Sequence, residues 1–522
     1  MEKEKKPFIT IVIIILAVVF FVFFGALNNT ASENLAIVRI FEPDEAAVLP
    51  YIQNMATPKG SLESFLRGFV FYQYYFYGFP FFGLSGLVAL PFQWSGQLQN
   101  TPMLMLALRQ VVSVLPMLLG ILILVYLQDG FRTYRSIVLF LFLLIIPATL
   151  QNGLWLHPDG LVVLLSSLVL FLLVKDNRTL GKYFFISAAI CGILIAAKVV
   201  GVFFFMAVGV SIIWTLVEKK VSWKKAILSS IAYILILGLF FVISNPFLLS
   251  SWARTEYLSI ASKQSDLLTH GYGVLYGKGL KSLSPILHEF YGSLVFLLCS
   301  FALLISGLFN EKKRFLSALI LSWLVPLTIY VFFIGHFKYQ YWLPVALPLL
   351  SSWFMALPDR ESWNKSKNWV NIARVFFIAV FIFQSASFLR QDINTIEKHL
   401  SRESSSQSIK FYENVRQTLG SEIDKPLNVY FDYRLYLPDD NNWQKHTSFE
   451  LMTYDFVEEG SFDILLLQQQ RIRDYLADGL VGVNPEEFER SQLFYRDADA
   501  GDIEGYTLVY RDSTGLIFKK MP

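Results

Sequence analysis

Apolar residues along this chain come in long unbroken blocks, not at the three-to-four spacing of a helix with one wet face. The blocks lie at roughly 8–26, 103–127, 136–151, 159–174, 183–197, 200–217, 226–247, 291–309, 316–335, 341–357 and 368–388. A helix needs about 20 apolar residues to cross a bilayer, so the pattern predicts about 11 spans with slack at their ends. A further run at 72–92 is aromatic and interrupted by Gly78, Pro80, Gly83 and Gly86. It predicts a re-entrant or juxtamembrane helix in the first external loop. Beyond Leu389 the blocks stop and shorter periods appear. They predict a helix near 406–419, a strand at Leu427–Phe431, a strand–helix unit over Asp463–Leu476 and a closing hairpin. That hairpin runs Tyr506–Arg511, turns through Asp512-Ser513-Thr514-Gly515 and returns over Leu516–Lys519. The expected fold is a polytopic α-helical membrane protein, residues 1–388, with a C-terminal soluble α/β domain, residues 389–522.

Composition agrees. Of 522 residues, 54% are hydrophobic and only 16% charged, with a mean hydropathy of +0.48. A soluble globular chain carries about 25% charged residues. Disordered, coiled-coil and ordinary soluble classes are excluded. A net charge of +3 gives no reason to expect nucleic acid. The two cysteines, Cys191 and Cys299, lie in apolar runs and suggest neither a disulfide framework nor a zinc site.

Charge also sets sidedness. Residues 389–522 hold 15 Lys and Arg against 24 Asp and Glu, a net of −9, while the body carries +12. If 72–92 does not cross, the segments 1–7, 128–135, 175–182, 218–225, 310–315 and 358–367 share one side and hold 18 Lys and Arg. Cytoplasmic loops carry that excess. The N-terminus is therefore expected in the cytoplasm and the acidic tail outside. The first apolar core, about 17 residues, exceeds the 7–15 of a signal peptide, so an uncleaved anchor is expected.

Polar residues on the external side are the candidate chemistry. Asp44 and Glu45 follow Pro43 just past the first span. Acids there suit a helix N-terminus, or a carboxylate base at the membrane surface. His157-Pro158-Asp159 opens a span. Helix-start chemistry explains the Pro and the Asp but does not require His157. Lys198 interrupts the apolar stretch Ile193–Phe205. An amine near hydrocarbon is costly unless it snorkels or is paired, so a functional role, holding a phosphate, is the default. The turn His336-Phe337-Lys338-Tyr339-Gln340-Tyr341 gathers polar and aromatic groups between two spans, and Arg109 lies near the start of the second span. An aromatic belt explains Tyr339 and Tyr341 but not His336 and Lys338 together.

The order of these motifs resembles the GT-C superfamily of integral membrane glycosyltransferases, nearest to protein O-mannosyltransferases and lipid A aminoarabinose transferases. The match runs over roughly residues 8–357: Pro43-Asp44-Glu45, the aromatic re-entrant run, Arg109, His157-Pro158-Asp159, Ala197-Lys198, and His336 through Pro344. The resemblance implies a polyprenyl-phosphate-linked sugar donor, transfer on the external face, and Asp44 at the catalytic centre beside Glu45. It also implies phosphate contacts from Lys198 and the basic late loop. Two departures stand out. His336 and Lys338 occupy a turn where many relatives have Arg, and Gly78-Phe79-Pro80 replaces a Lys-Pro pair.

A departing phosphate is already a stable anion, which relaxes the two-carboxylate requirement of glycosidases. One carboxylate, Asp44, can take the proton of the acceptor hydroxyl while Lys198, His336 and Lys338 stabilise the phosphate. Asp159 and His157 would orient the acceptor or tune Asp44. Inversion at the anomeric carbon is expected, with a lipid, glycan or protein acceptor and with membrane lipids as surroundings. Asp44, Glu45, Asp159 and His157 could also ligate a divalent metal, although no spacing demands one. The alternative from another class is a transporter or lipid-linked sugar flippase, whose polar groups should scatter to the midplane within repeated halves. No such repeat is visible.

Overall fold

The computed structural model describes residues 2–357, 368–438 and 442–522, and the expected cytoplasmic loop 358–367 lies outside them. The chain divides into two compact units. The first comprises 1–29, 51–261 and 278–398; the second comprises 30–50, 262–277 and 399–522.

The first unit is helical. Among the described residues six helices are long and apolar enough to cross a membrane. They are Lys6–Asn28, Thr101–Asp129, Val199–Val217, Trp223–Ile243, Arg314–Ile334 and Asn371–Ser401. Two bent pairs raise the number to as many as eight. This is an integral, multi-pass membrane protein. Each of the other expected spans also contains an apolar helix, but Asp159–Lys175 is only 17 residues long and Lys182–Ala197 only 16. The helix Phe79–Trp94 fills most of the aromatic run and is likewise 16 residues long.

The bends have local causes. Ile146 precedes Pro147 and is held extended at φ −72° and ψ 124°, which parts Tyr134–Leu144 from Pro147–Gly153 by 63°. At the 78° bend between Leu280–Tyr291 and Leu294–Leu308, Gly292 takes φ 95°, a region that favours glycine. Small residues let helices approach closely. A Cβ on Gly160 would stand 2.4 Å from the Ser113 carbonyl oxygen.

The second unit contains two sheets, their strands numbered β1 to β7 in chain order. A short hairpin of β1 (Gly271–Tyr272) and β2 (Val274–Leu275) is joined to the tail by an antiparallel bridge from Val274 to Gly482. The main sheet is formed by β3 (Asn428–Phe431), β4 (Gln444–His446), β5 (Ile464–Gln468), β6 (Tyr506–Arg511) and β7 (Gly515–Lys520), ordered β4-β3-β5-β7-β6. The first three pair in parallel; β7 runs antiparallel to β5 and β6. Both faces are covered, so β5 reads as a continuous apolar run. Ile464 and Leu466 join one core with Phe411, Val415 and Leu419 of helix Gln407–Leu419. Leu465 and Leu467 join the other with Ile472, Phe494 and Ala498. The expected helix, β3, β5, following helix and hairpin are all present within a residue or two. Helices Tyr454–Gly460 and Pro485–Ala500 and strand β4 are additions.

Residues 30–50 pack within this same unit. Arg402 donates from Nη1 to Glu42 Oε1 at 2.9 Å, and its guanidinium lies 5.0 Å from the Phe41 ring. Arg39 stands 5.4 Å from the ring of Phe431 on β3.

Candidate functional site

Three helix ends of the first unit build one polar cluster. The first is the start of Asp159–Lys175, seated by a stretch of π-helix at Arg109–Val114. Such wide turns are frequent at functional sites. Ser113, inside that stretch, accepts from the His157 backbone N–H at 3.1 Å and donates to the His157 carbonyl at 3.3 Å. With Gly160 pressed on the Ser113 carbonyl, the His157-Pro158-Asp159 turn has little freedom.

The second end is Lys198. The helix Lys182–Ala197 stops there because Lys198 is extended, at φ −157° and ψ 130°, before a 3₁₀ turn over Val199–Phe204. Its Nζ lies 2.5 Å from Asp159 Oδ1 and 4.6 Å from the centre of the Tyr341 ring. The other oxygen, Asp159 Oδ2, pairs with His157 Nδ1. Asp159 is fully buried and His157 is 3% exposed, while the Lys198 side chain keeps 15% of its surface. An isolated carboxylate at that depth would cost several kcal/mol. Two partners, one on each oxygen, make the charge tolerable.

The third end precedes helix Phe79–Trp94. Tyr77 brings its hydroxyl to 3.0 Å from His157 Nε2. A Cβ on Gly78 would fall 1.6 Å from the Ala196 carbonyl oxygen, so only glycine lets this segment dock two residues before Lys198. The Phe79 N–H donates to Asn245 Oδ1 at 2.9 Å and fixes the docking. Trp155 closes the other side, its indole stacked on His157 with centroids 4.3 Å apart and a 10° tilt. The result is a chain of partners from Tyr77 through His157 and Asp159 to Lys198, with Tyr341 beside the amine.

The remaining expected residues are placed as follows. Arg109 is fully buried rather than snorkelling, and its Nη1 donates to the Asn28 carbonyl at 3.0 Å, where a cation suits a helix C-terminus. Tyr339 stacks on Phe290 with centroids 4.3 Å apart, and its carbonyl accepts from the Tyr291 hydroxyl. His336 and Lys338 are half-buried in the turn before Tyr339. Burial, and then Lys338, push His336 down to about 4, so at neutral pH it is a neutral hydrogen-bonding group and not a cation. Asp44 and Glu45 belong to the second unit, in the first turn of helix Pro43–Ala56, Asp44 exposed and Glu45 fully buried.

Solved structures with this arrangement of helices are known. ArnT from Cupriavidus metallidurans, in a crystal structure bound to undecaprenyl phosphate, matches with a TM-score of 0.56 and 14% identity, over 98% of this chain and 97% of that one. Its apo crystal structure gives 0.51 and 14%, over 98% and 97%. The apo oligosaccharyltransferase of Archaeoglobus fulgidus gives 0.53 and 11%, over 92% of this chain and 72% of that one.

The chain has the GT-C fold.

No protein-family model and no curated protein matches the sequence. The assignment to the GT-C fold therefore rests on shape. Among the described residues no three His, Cys, Asp or Glu side chains converge as metal ligands. The Asp159 pair is a poor fit for a divalent ion, because the Lys198 ammonium already occupies one of its oxygens. Asp44 and Glu45 differ too much in exposure to act as a paired ligand.

Sequence reasoning missed Tyr77, Trp155 and Ser113 in this cluster. Tyr77 is one of several rings between Phe71 and Phe82, and nothing in a period or a charge distinguishes it. Only the glycine that follows it hinted at a close approach.

Proposed function

We propose that this GT-C chain is a glycosyltransferase that moves a sugar from a polyprenyl phosphate to an acceptor hydroxyl on the external face of the membrane. The observation that carries the reading is the Lys198–Asp159 pair. An amine is fixed on a buried carboxylate at a helix break, with part of its surface open, in a fold shared with a protein crystallised on undecaprenyl phosphate. A bare lysine would wander; one anchored at 2.5 Å is preorganised for an anion. Lys338 and the neutral His336 would add hydrogen bonds to the same phosphate, with Tyr341 packed beside the amine.

The motif order supports Asp44 as the base. It is an exposed carboxylate at a helix start, held in a segment that Arg402 fastens through Glu42. It would take the acceptor proton as the acceptor oxygen attacks the anomeric carbon and the phosphate leaves, which inverts the centre. Glu45, being buried, would act on the placement of that helix turn. The cytoplasmic lysines support an N-terminus inside and the acidic tail outside. The acceptor is a lipid, glycan or protein hydroxyl.

The test is a panel of radiolabelled polyprenyl-phosphate sugars offered to the purified protein in lipid nanodiscs, wild type against Asp44→Asn. Release of polyprenyl phosphate from one donor, reduced about 100-fold or more in the variant, is expected. Movement of donor across the bilayer of proteoliposomes without cleavage would replace this reading with a flippase.

A further inference from the structure

The cluster contains more than a phosphate anchor needs. Lys198 and Asp159 would suffice to hold an anion, yet Asp159 Oδ2 is committed to His157, and His157 to Tyr77. His157 is enclosed by Trp155 and Ser113, so neither ring nitrogen is set by solvent. His157 Nδ1 lies against the Asp159 carboxylate, and Nε2 faces the Tyr77 oxygen. This is the arrangement by which a carboxylate steadies an imidazolium. Tyr77 is the partly exposed end of the row. Lys198 and His157 sit on the two oxygens of one carboxylate, so the amine and the Tyr77–His157 arm share one anchor.

We propose that Tyr77, backed by His157 and Asp159, is the proton donor to the departing phosphate, a role that rests on the sugar-transfer reading above. The bond from the anomeric carbon to the phosphate oxygen breaks and its electron pair stays on that oxygen. The Tyr77 hydroxyl proton passes to the phosphate, the His157 Nε2 proton passes to the Tyr77 oxygen, and neutral imidazole remains. The acceptor proton goes separately to the base, for which Asp44 is proposed. Tyr77 is thus a catalytic residue, and His157 and Asp159 are positioning residues acting through it. A phosphate monoester gains its second negative charge near pH 6. In a site walled by apolar helices a proton delivered at that moment spares the formation of a dianion.

The groups facing His157 are Asp159 and Tyr77 directly, and Lys198 and Tyr291 by way of Asp159. Steady-state turnover of the active donor is measured from pH 5.5 to 9 in wild type, Tyr77→Phe and His157→Gln, with undecaprenyl phosphate binding measured for each. The expected result is a kcat that falls on the alkaline side in wild type, and a loss of about 100-fold in Tyr77→Phe and no more than that in His157→Gln. The donor KM should move less than about threefold and the alkaline fall should vanish in both variants. Tyr77→Phe removes one oxygen and keeps the ring against Phe81, 5.4 Å away between centroids, so its folding is not at stake. If Tyr77→Phe keeps wild-type kcat and pH profile, the relay is wrong while sugar transfer stands. If wild type turns over no donor, the sugar-transfer reading falls first.

Discussion

Asp159 in the first unit and Asp432 in the second are both fully buried, and each holds a cation through a contact of 2.5–2.6 Å. The surroundings differ. Asp432 is tied to Arg471, whose Nη1 and Nη2 also donate to the carbonyls of Ser448 and Glu450 at 3.1 and 2.6 Å. Asp432 itself accepts the Gln468 N–H at 2.6 Å and the Tyr430 hydroxyl at 3.3 Å. The guanidinium lies against the rings of Tyr433 and Tyr475 and keeps 7% of its surface. Burial raises the Asp432 carboxyl, and Arg471 only partly offsets it. This pair closes on main-chain atoms and staples a loop to the ends of β3 and β5. Asp159 instead spends its two oxygens on groups that can change state or partner, an imidazole and a lysine amine. The lesson is one of partners. A buried carboxylate answered by a rigid fork and the backbone is fixed, and one answered by a primary amine and a histidine keeps partners that can change.

The largest effect that would sharpen this contrast is on stability. Arg471→Ala leaves Asp432 buried and uncompensated, and should cost the second unit about 3–5 kcal/mol. Hydrogen exchange across 428–431 and 464–468 in the full chain would read this as lost protection, whereas Lys198→Ala should leave those amides unchanged. Next in size, Lys198→Ala should weaken donor binding about 10- to 100-fold, the worth of one or two charge-assisted hydrogen bonds. Unchanged donor KM in that variant would erase the distinction between the two pairs.

A smaller effect concerns the late turn. His336 has a folded value of about 4, below its ordinary 6.5. Its contribution to stability is therefore present above about pH 6.5 and is lost as pH falls through 4. Thermal unfolding of wild type and His336→Gln should differ in slope across that window and run parallel above it. The smallest effect belongs to the exposed pair Arg490–Asp455, with side chains 55% and 68% exposed. Arg490→Ala should change stability by less than about 0.5 kcal/mol, and a larger loss would show that burial is the wrong axis for the comparison.

Much of this was legible in the sequence because hydrocarbon and sheet interiors impose simple patterns. The blocks of apolar residues located the helices, a short apolar run located β5, and a turn between two strand-like runs located the β6–β7 hairpin. His157, Asp159 and Lys198 stood out because each interrupts an apolar context. Their meeting did not, since it depends on the π-helical seat at Ser113 and the close approach at Gly78, and neither leaves a period. The sharing of one compact unit by 30–50, 262–277 and the tail was also invisible. Arg402 with Glu42, and Val274 with Gly482, join residues hundreds of positions apart with no mark on either partner. The neutral state of His336 left no mark in the sequence either, because its burial beside Lys338 is tertiary.

The central claim is that the amine of Lys198, fixed on Asp159, anchors a lipid phosphate. It is met most directly by equilibrium binding of undecaprenyl phosphate and of uncharged undecaprenol to the full chain in nanodiscs, wild type and Lys198→Ala. The account predicts that wild type prefers the phosphate and that the variant loses that preference while binding the alcohol as before. Equal binding of the phosphate by both proteins would contradict it.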